Sequence, residues 1–485
     1  MGRIQYFSTV FGELGGMLLF VSPLTLVPLA VALIFREWQM ILPMATVPAL
    51  FFVLGILLNH IPRLGREIRL SSAYSSVALV WLAFALVGCI PFIMYSGMTF
   101  TDAFFEAMAG WTGTGFTLLT APQDLPRSLA FWRVYMQWIG GLGVIALTIT
   151  MANRSALFQP SYFRSDSRSE RILPSVISTG RQIWASYIVL TLLAIGLILM
   201  ARIPLWDAIN LGLSGISTGG FIPHSGGILY YHSPILEYLL IPVMVIGSTP
   251  FLIYYTMYRK RKISLFSDEQ VKLLLTFIVF GALIVIGDLY FLKHYPVADA
   301  VRQGLFMTTA AVSTTGFSNG NVHLYASVTV IFLTMLIFIG GASGSTAGGV
   351  KLSRIALGYR GIIWWFRRAF VRGKVLVPFK FGGHTISNKV AEPELAKNML
   401  VIILAVMTVV AATLIILQIH LISIGVTELV FDIVSAFSSC GLSTGYVSPT
   451  MPFISKWVFI IVMWIGRLEV IPVIVMLIAL FRGTD

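Results

Sequence analysis

Long apolar runs separated by short polar breaks dominate the chain, and their spacing sets the first structural expectation. A helix needs about 20 apolar residues to cross the hydrocarbon of a bilayer, and about ten stretches reach that length. Two come first, Gly15 to Phe35 and Trp38 to Leu58. Four pairs follow: Tyr74 to Met94 with Phe131 to Met151, Ile183 to Leu205 with Ile235 to Met257, Lys272 to Phe291 with Val328 to Val350, and Met399 to Ile422 with Trp457 to Phe481. The first run begins too late, is too long and lacks the small-residue cleavage site of a removable signal peptide.

Inside each pair lies a short Ser/Thr/Gly stretch. These are Thr112-Gly113-Thr114-Gly115, Ser217-Thr218-Gly219-Gly220, Ser313-Thr314-Thr315-Gly316 and Ser438-Ser439-Cys440-Gly441. Irregular backbone at membrane depth is tolerated only where it is buried in protein or lines a cavity, so four copies point to one shared axial structure. The expected fold is an all-α polytopic membrane protein with four membrane-pore-membrane repeats in pseudo-fourfold arrangement around one pore. The expected units are an N-terminal two-helix unit (1–72) and repeats at 73–181, 182–268, 269–392 and 393–485.

Aligning the stretches on Gly115, Gly220, Gly316 and Gly441 sharpens the repeat. Small pairs stand six and five positions before each glycine: Ala109-Gly110, Ser214-Gly215, Ala310-Ala311 and Ser435-Ala436. They would let helices converge on a crowded axis. Asp102, Asp207 and Glu428 each stand 13 residues before the aligned glycine, and Asp299 stands 17 before its own, one extra helical turn. A carboxylate at a helix N-terminus accepts orphan N–H groups and complements the dipole, so these four are expected to cap short pore helices. In the fourth repeat Gly445 is a competing choice of register, but it would put Leu442 where the other repeats carry Ser or Thr, which favours Gly441.

Composition agrees with this outline: 57% of the 485 residues are hydrophobic and 11% charged, unlike a soluble domain. Two cysteines and seven scattered histidines form no disulfide framework or ligand spacing. The net charge of +13 comes in short blocks between apolar segments, which fits lipid headgroups and topology better than nucleic acid. Arg63, Arg66 and Arg69, the block from Arg154 to Arg181, Arg259 to Lys262, and the series from Arg354 to Lys380 all fall between pairs. Within pairs the main basic residues are Arg127, Lys293, Arg302 and Lys456. The between-pair loops are therefore expected inside, with the filter entrance facing outside.

A ring of carbonyls and hydroxyls can replace the water shell of a hard cation without binding it too tightly to leave. Glycine permits the positive φ that turns successive carbonyls toward one axis. Ordinary small-residue helix contacts are the bland alternative, and four aligned copies weigh against it. Potassium at this filter is the only metal the sequence predicts.

These residues resemble the Trk/Ktr/HKT superfamily of potassium transporters, and within it the Trk-type membrane subunits. The resemblance is carried by the filters together with Trp138-Ile139-Gly140-Gly141-Leu142-Gly143, Gly340 to Lys351, and Trp464-Ile465-Gly466-Arg467-Leu468-Glu469. It implies potassium uptake across the cytoplasmic membrane, a homodimer, and control by a cytosolic nucleotide-binding ring. NAD(H) or ATP/ADP would then bind that regulatory subunit and not this chain.

Repeated glycines between Gly340 and Gly349 would each weaken a helix by about 1 kcal/mol relative to alanine, so an interruption is expected there. The resemblance implies that this segment, with Gly340, Gly341, Gly344, Ser345, Thr346, Gly348, Gly349 and Lys351, is an intramembrane gate beneath the filter. Close helix packing is an alternative role. The missing Gly-Lys-Ser/Thr and the apolar span in place of a preceding strand argue against a phosphate-binding loop. Arg467 sits in an otherwise apolar run, where a charge is expensive and usually faces a water-filled path or a partner. The resemblance implies a pore arginine below the filter; an ion pair with Glu469 or capping of carbonyls from the glycine-rich loop are the structural alternatives.

In related plant transporters a serine at the first filter glycine accompanies sodium preference, and this chain has Gly115 there. Cys440 and Leu442 depart from the Thr-rich pattern of the other repeats. A potassium symporter coupled to protons or sodium is the alternative function, although parallel repeats and few deep acidic residues count against it. A membrane enzyme would need paired acids, a nucleophile with its base or a metal cluster, and none is apparent. The blocks from Arg154 to Arg181 and Arg354 to Asn398 suit a docking partner or a lipid-facing surface equally.

Overall fold

A computed structural model of the chain describes residues 3–61, 70–152, 176–260, 265–371, 377–381, 384–419 and 424–482. Arg63, Arg66 and Arg69, the run from Arg154 to Arg171, Arg261 and Lys262, and Arg372 and Lys374 lie outside the described residues. The N-terminal unit comprises α1 (Arg3–Val21), α2 (Leu26–Ile34) and α3 (Trp38–Asn59), with a 3-10 turn joining the first two into one span.

Each repeat then places one buried helix between two flanking helical arms. The first has α4 (Leu70–Gly88), α5 (Ile90–Ser96), α6 (Phe100–Thr112) and α7 (Arg127–Ala152). The second has α8 (Val176–Leu199), α9 (Leu205–Ile216), α10 (Pro234–Ser248) and α11 (Phe251–Lys260). The third has α12 (Glu269–Gly287), α13 (Val297–Val312), α14 (Ser327–Ile339) and α15 (Leu352–Phe370). A hairpin of β1 (Phe379–Phe381) and β2 (His384–Ile386), with Phe379 opposite Ile386, leads into the fourth. That repeat has α16 (Asn388–Leu417), α17 (Val426–Phe437), α18 (Phe453–Arg467) and α19 (Ile471–Arg482).

The short helices α6, α9, α13 and α17 have 13, 12, 16 and 12 residues, too few to cross a bilayer at about 1.5 Å per residue. Beyond the first turn they are almost wholly buried, as in α6 from Ala103 to Thr112. The longer helices instead turn Leu192, Leu193, Phe280 and Met407 outward, as a lipid-facing surface requires. Packing closes the repeats into a cycle: α7 lies on α9, α10 on α13, α14 on α17, and α18 returns to α6. The N-terminal unit packs outside the first repeat, α1 against α4 and α2 against α7.

Several expected spans are not single helices. The segment from Ile235 to Met257 bends by 89° between α10 and α11, and the one from Trp457 to Phe481 bends by 108° between α18 and α19. The first bend follows from Thr249-Pro250, since proline has no N–H and pushes the preceding residue to extended backbone, here φ −96° and ψ 145°. At the second, Glu469 and Val470 adopt φ of +58° and +69°, strained for any side chain and most for a β-branched one. The span expected from Val328 to Val350 stops at Ile339, where the glycine-rich segment begins.

Candidate functional site

The four short helices end in the same way. In each, two N–H groups fold back onto the small pair: Gly113 to Gly110 and Thr114 to Ala109, Thr218 to Gly215 and Gly219 to Ser214, Thr314 to Ala311 and Thr315 to Ala310, Ser439 to Ala436 and Cys440 to Ser435. The eight bonds span 2.8–3.2 Å and form a Schellman terminus in every repeat. That motif needs a left-handed residue, supplied by Gly113, Thr218, Thr314 and Ser439 at φ of +67°, +49°, +51° and +52°. Threonine is a poor choice for such a backbone, and two of the four repeats retain it there.

Two residues further on, Gly115, Gly220, Gly316 and Gly441 again have positive φ, from +76° to +88°. They meet. A methyl group on Gly115 would overlap the carbonyl of Gly219, one on Gly220 that of Thr315, one on Gly316 that of Cys440, and one on Gly441 that of Thr114. Each glycine thus abuts the carbonyl of the next repeat, and the fourth returns to the first. Gly445, by contrast, has open space around it.

The acidic residues expected as caps are not N-caps. The capping positions hold Thr99, Pro204, Pro296 and Gly425, and only Thr99 among them accepts a side-chain bond, from the Asp102 N–H at 3.3 Å. Asp102, Asp207, Asp299 and Glu428 all occupy the third helical position, where they still complement the dipole. Three of them have partners. Asp102 takes Lys456 Nζ at 2.6 Å, Asp207 lies 3.3 Å from His224 Nε2, and Asp299 takes Arg302 Nη2 at 2.9 Å. The extra turn before Gly316 is present as the longer α13.

The segment between α14 and α15 lies against the left-handed residues, on the side of the ring away from the helix N-termini. Gly348 N–H donates to Thr314 Oγ1 at 2.7 Å, and the Thr218 hydroxyl lies 3.2 Å from that of Thr346. Thr346 Oγ1 also reaches the carbonyls of Ile216 and Gly247, both at 2.9 Å. A methyl on Gly348 would overlap the Ser438 carbonyl, and one on Gly141 would press on Thr346. Gly340, Gly344 and Gly349 have positive φ, as does Lys351, whose ammonium folds back onto the Ala347 carbonyl. Ser345 bonds within the segment, to Ala342 O at 2.6 Å, and Gly341 N–H reaches Gly348 O at 3.4 Å. The segment therefore touches all four repeats.

Arg467, 3% exposed, ends α18 and donates from Nη1 to the Thr346 carbonyl at 3.0 Å. Its Nη2 lies 3.6 Å from where a Cβ on Gly113 would stand. Nε and Nη2 have no hydrogen-bond partner among the described residues. Glu469 pairs with Arg354 of α15 instead, so the arginine binds the glycine-rich segment and not its near neighbour.

A further fourfold feature escaped the sequence reading. The second helix of each repeat carries Ile-Gly, at Ile139-Gly140, Ile246-Gly247, Ile339-Gly340 and Ile465-Gly466. A side chain on Gly140, Gly247 or Gly466 would collide with the carbonyl of Trp111, Ile216 or Phe437, each four residues before a ring glycine. In this register Arg467 is the counterpart of Gly141, Ser248 and Gly341. Gln137, Met244, Ile337 and Met463 form another equivalent set, and Gln137 alone is polar. Buried Glu106 was also missed. It takes Arg133 Nε at 2.8 Å and holds Thr117 and the Leu118 N–H above the ring, while Asp432 holds Ser443 and Thr444 in the same way.

No group of three or more His, Cys, Asp or Glu among the described residues is arranged to hold a metal ion. What meets at the ring is backbone carbonyl oxygen from all four repeats. Fold and site together define a multi-pass membrane protein whose four hairpin repeats close around one axis. The family model described as TrkH, a cation transport protein, matches residues 46–482, and the chain belongs to the TrkH family, a family of transporters and not of enzymes. It is 30% identical over 480 residues to an uncharacterized cation transporter of Methanocaldococcus jannaschii, covering 97% of this chain and 95% of that protein. It is 25% identical to the Trk system potassium uptake protein TrkH of Halomonas elongata, over 95% and 96% of the two chains. The crystal structure of the potassium transporter TrkH from Vibrio parahaemolyticus has the same fold, with a TM-score of 0.85 at 23% identity over 98% of this chain and 99% of that one.

Proposed function

We propose that this chain conducts potassium inward across the cytoplasmic membrane through a single filter made by Thr112–Gly115, Ser217–Gly220, Ser313–Gly316 and Ser438–Gly441. The observation that carries this reading is the closed ring in which each positive-φ glycine abuts a carbonyl of the next repeat. Such a ring offers several weak oxygen ligands at once, which suits a cation that must shed water and then move on. The segment from Gly340 to Lys351 and Arg467 act as the gate. The segment's contacts with Thr314, Thr218 and Arg467 support that role, because they lie directly beneath the ring. Membership of the family supports regulation by a cytosolic nucleotide-binding ring, a dimeric assembly and a filter that opens outward.

Single-channel recording from the purified protein, with potassium or sodium as sole cation and no proton gradient, tests this. Potassium current down its own gradient is the expected result. Potassium movement that occurs only with an imposed proton or sodium gradient would replace the reading with coupled symport.

A further inference from the structure

Of the four ring carbonyls, one is engaged by a side chain. Gln137 of α7, fully buried, donates from Nε2 to the Gly219 carbonyl at 2.5 Å. Its Oε1 accepts from the Phe221 N–H and the Ser214 hydroxyl, both at 3.3 Å. One amide from the first repeat therefore brackets the ring glycine of the second. No side chain among the described residues donates to the matching carbonyls of Thr114, Thr315 or Cys440. The equivalent positions hold Met244, Ile337 and Met463, all buried and none able to donate such a bond.

We propose that Gln137 is a specificity-determining residue, acting on the permeating ion through the Gly219 carbonyl. This rests on the reading of the ring as a potassium filter. A carbonyl that already accepts an N–H bond has part of its lone-pair density committed and its direction fixed. It is a weaker cation ligand than a free one. Lowering the field of one ligand in four favours the larger ion, whose water is more easily removed, over the smaller. Freeing that carbonyl strengthens the ring and shifts the balance toward sodium.

The experiment compares wild type with Gln137→Met, which copies the residue at the second and fourth equivalent positions, and Gln137→Asn, one methylene too short to reach Gly219. Sodium-over-potassium permeability is read from reversal potentials under bi-ionic conditions, and folding from thermal unfolding and monodispersity. Both variants should raise the ratio roughly three- to tenfold, the range that one ordinary hydrogen bond commands. An unchanged ratio in a folded variant, even with slower passage of both ions, overturns the proposal and leaves Gln137 as a packing residue. Failure of both variants to fold also overturns it. Gly115→Ser serves as the reference: if it shifts the ratio and the Gln137 variants do not, this inference alone falls. If Arg467→Ala, which releases the gate, passes neither ion, the filter reading itself is wrong.

Discussion

The guanidinium of Arg467 is bonded to the backbone carbonyl of Thr346, 121 residues away in sequence, at 3.0 Å. A buried cation at the end of a helix that bends by 108° thereby holds a glycine-rich segment under the four-glycine ring. The helix C-terminus favours positive charge, and among the described residues the Thr346 carbonyl is the one hydrogen-bond acceptor that the guanidinium reaches. Both the charge and the tether would oppose a cation moving down the axis.

Replacing Arg467 separates these two contributions. Arg467→Ala removes both and should raise basal potassium flux about tenfold or more, since a hydrogen bond to a charged group contributes about 1.5–3 kcal/mol. Arg467→Lys retains the charge without the planar fork. Flux in liposomes that stays low for lysine assigns the barrier to charge; flux that rises as for alanine assigns it to the tether.

Thr346→Val tests the other side of the same contact. Valine preserves shape but removes a hydroxyl that reaches Ile216 O and Gly247 O at 2.9 Å and neighbours the Thr218 hydroxyl at 3.2 Å. Ile216 O then loses its hydroxyl donor while Gly247 O keeps only the Thr346 N–H at 3.3 Å, a loss that costs about 1–3 kcal/mol and should loosen the segment, raising basal flux. Ser345→Ala is the control, because the Ser345 hydroxyl bonds only within the segment, to Ala342 O at 2.6 Å and Ala347 N–H at 3.3 Å. Equal flux increases in the two variants would contradict the assignment.

Much of this arrangement was legible in the sequence, because its repeats carry the same residue types at the same spacing. The ring glycines, the small pairs and the interruption after Ile339 all follow from glycine's backbone freedom and helix cost. The acidic residues were placed three positions too early. Spacing from the ring shows that a carboxylate opens each helix, but it does not distinguish the cap from the third residue, which also meets the dipole. Pro204 and Pro296, which occupy two of the caps, were the readable signal. The bend at Pro250 was readable in the same way. Nothing local announces the one at Glu469 and Val470, since valine disfavours positive φ and only the surrounding packing maintains it. Gln137 has its partners in the next repeat, so its role appears only when the chain is closed into a ring.

The buried pair of Glu106 and Arg133 links α6 to α7 behind the ring. Both side chains are at most 2% exposed, and the Arg133 guanidinium also lies 4.2 Å over the ring of Phe221. Removing one partner of such a pair leaves an uncompensated charge, at about 3–5 kcal/mol, whereas replacing both with apolar residues is often tolerated. Glu106→Ala should therefore lower the thermal midpoint in detergent by several degrees. Glu106→Met with Arg133→Met should recover most of the loss. A double variant less stable than the single would show that the Thr117 and Leu118 bonds, and not charge pairing, dominate.

The fourth repeat offers two glycines, and substituting each by alanine decides which belongs to the ring. Gly441 has φ +88° and faces the Thr114 carbonyl so closely that a methyl cannot fit without displacing the first repeat. Gly445 has φ +108° and nothing within 4 Å of an added Cβ. Alanine is strained at both, by about 1–2 kcal/mol for a left-handed backbone, so strain alone predicts similar modest losses. The steric term differs, and it separates them. Gly441→Ala should abolish potassium flux or prevent assembly of the folded chain, while Gly445→Ala should fold and conduct with only a small drop in thermal midpoint. If flux is lost from the Gly445 variant and kept by the Gly441 variant, the fourth segment enters the pathway four residues later than the ring contacts require.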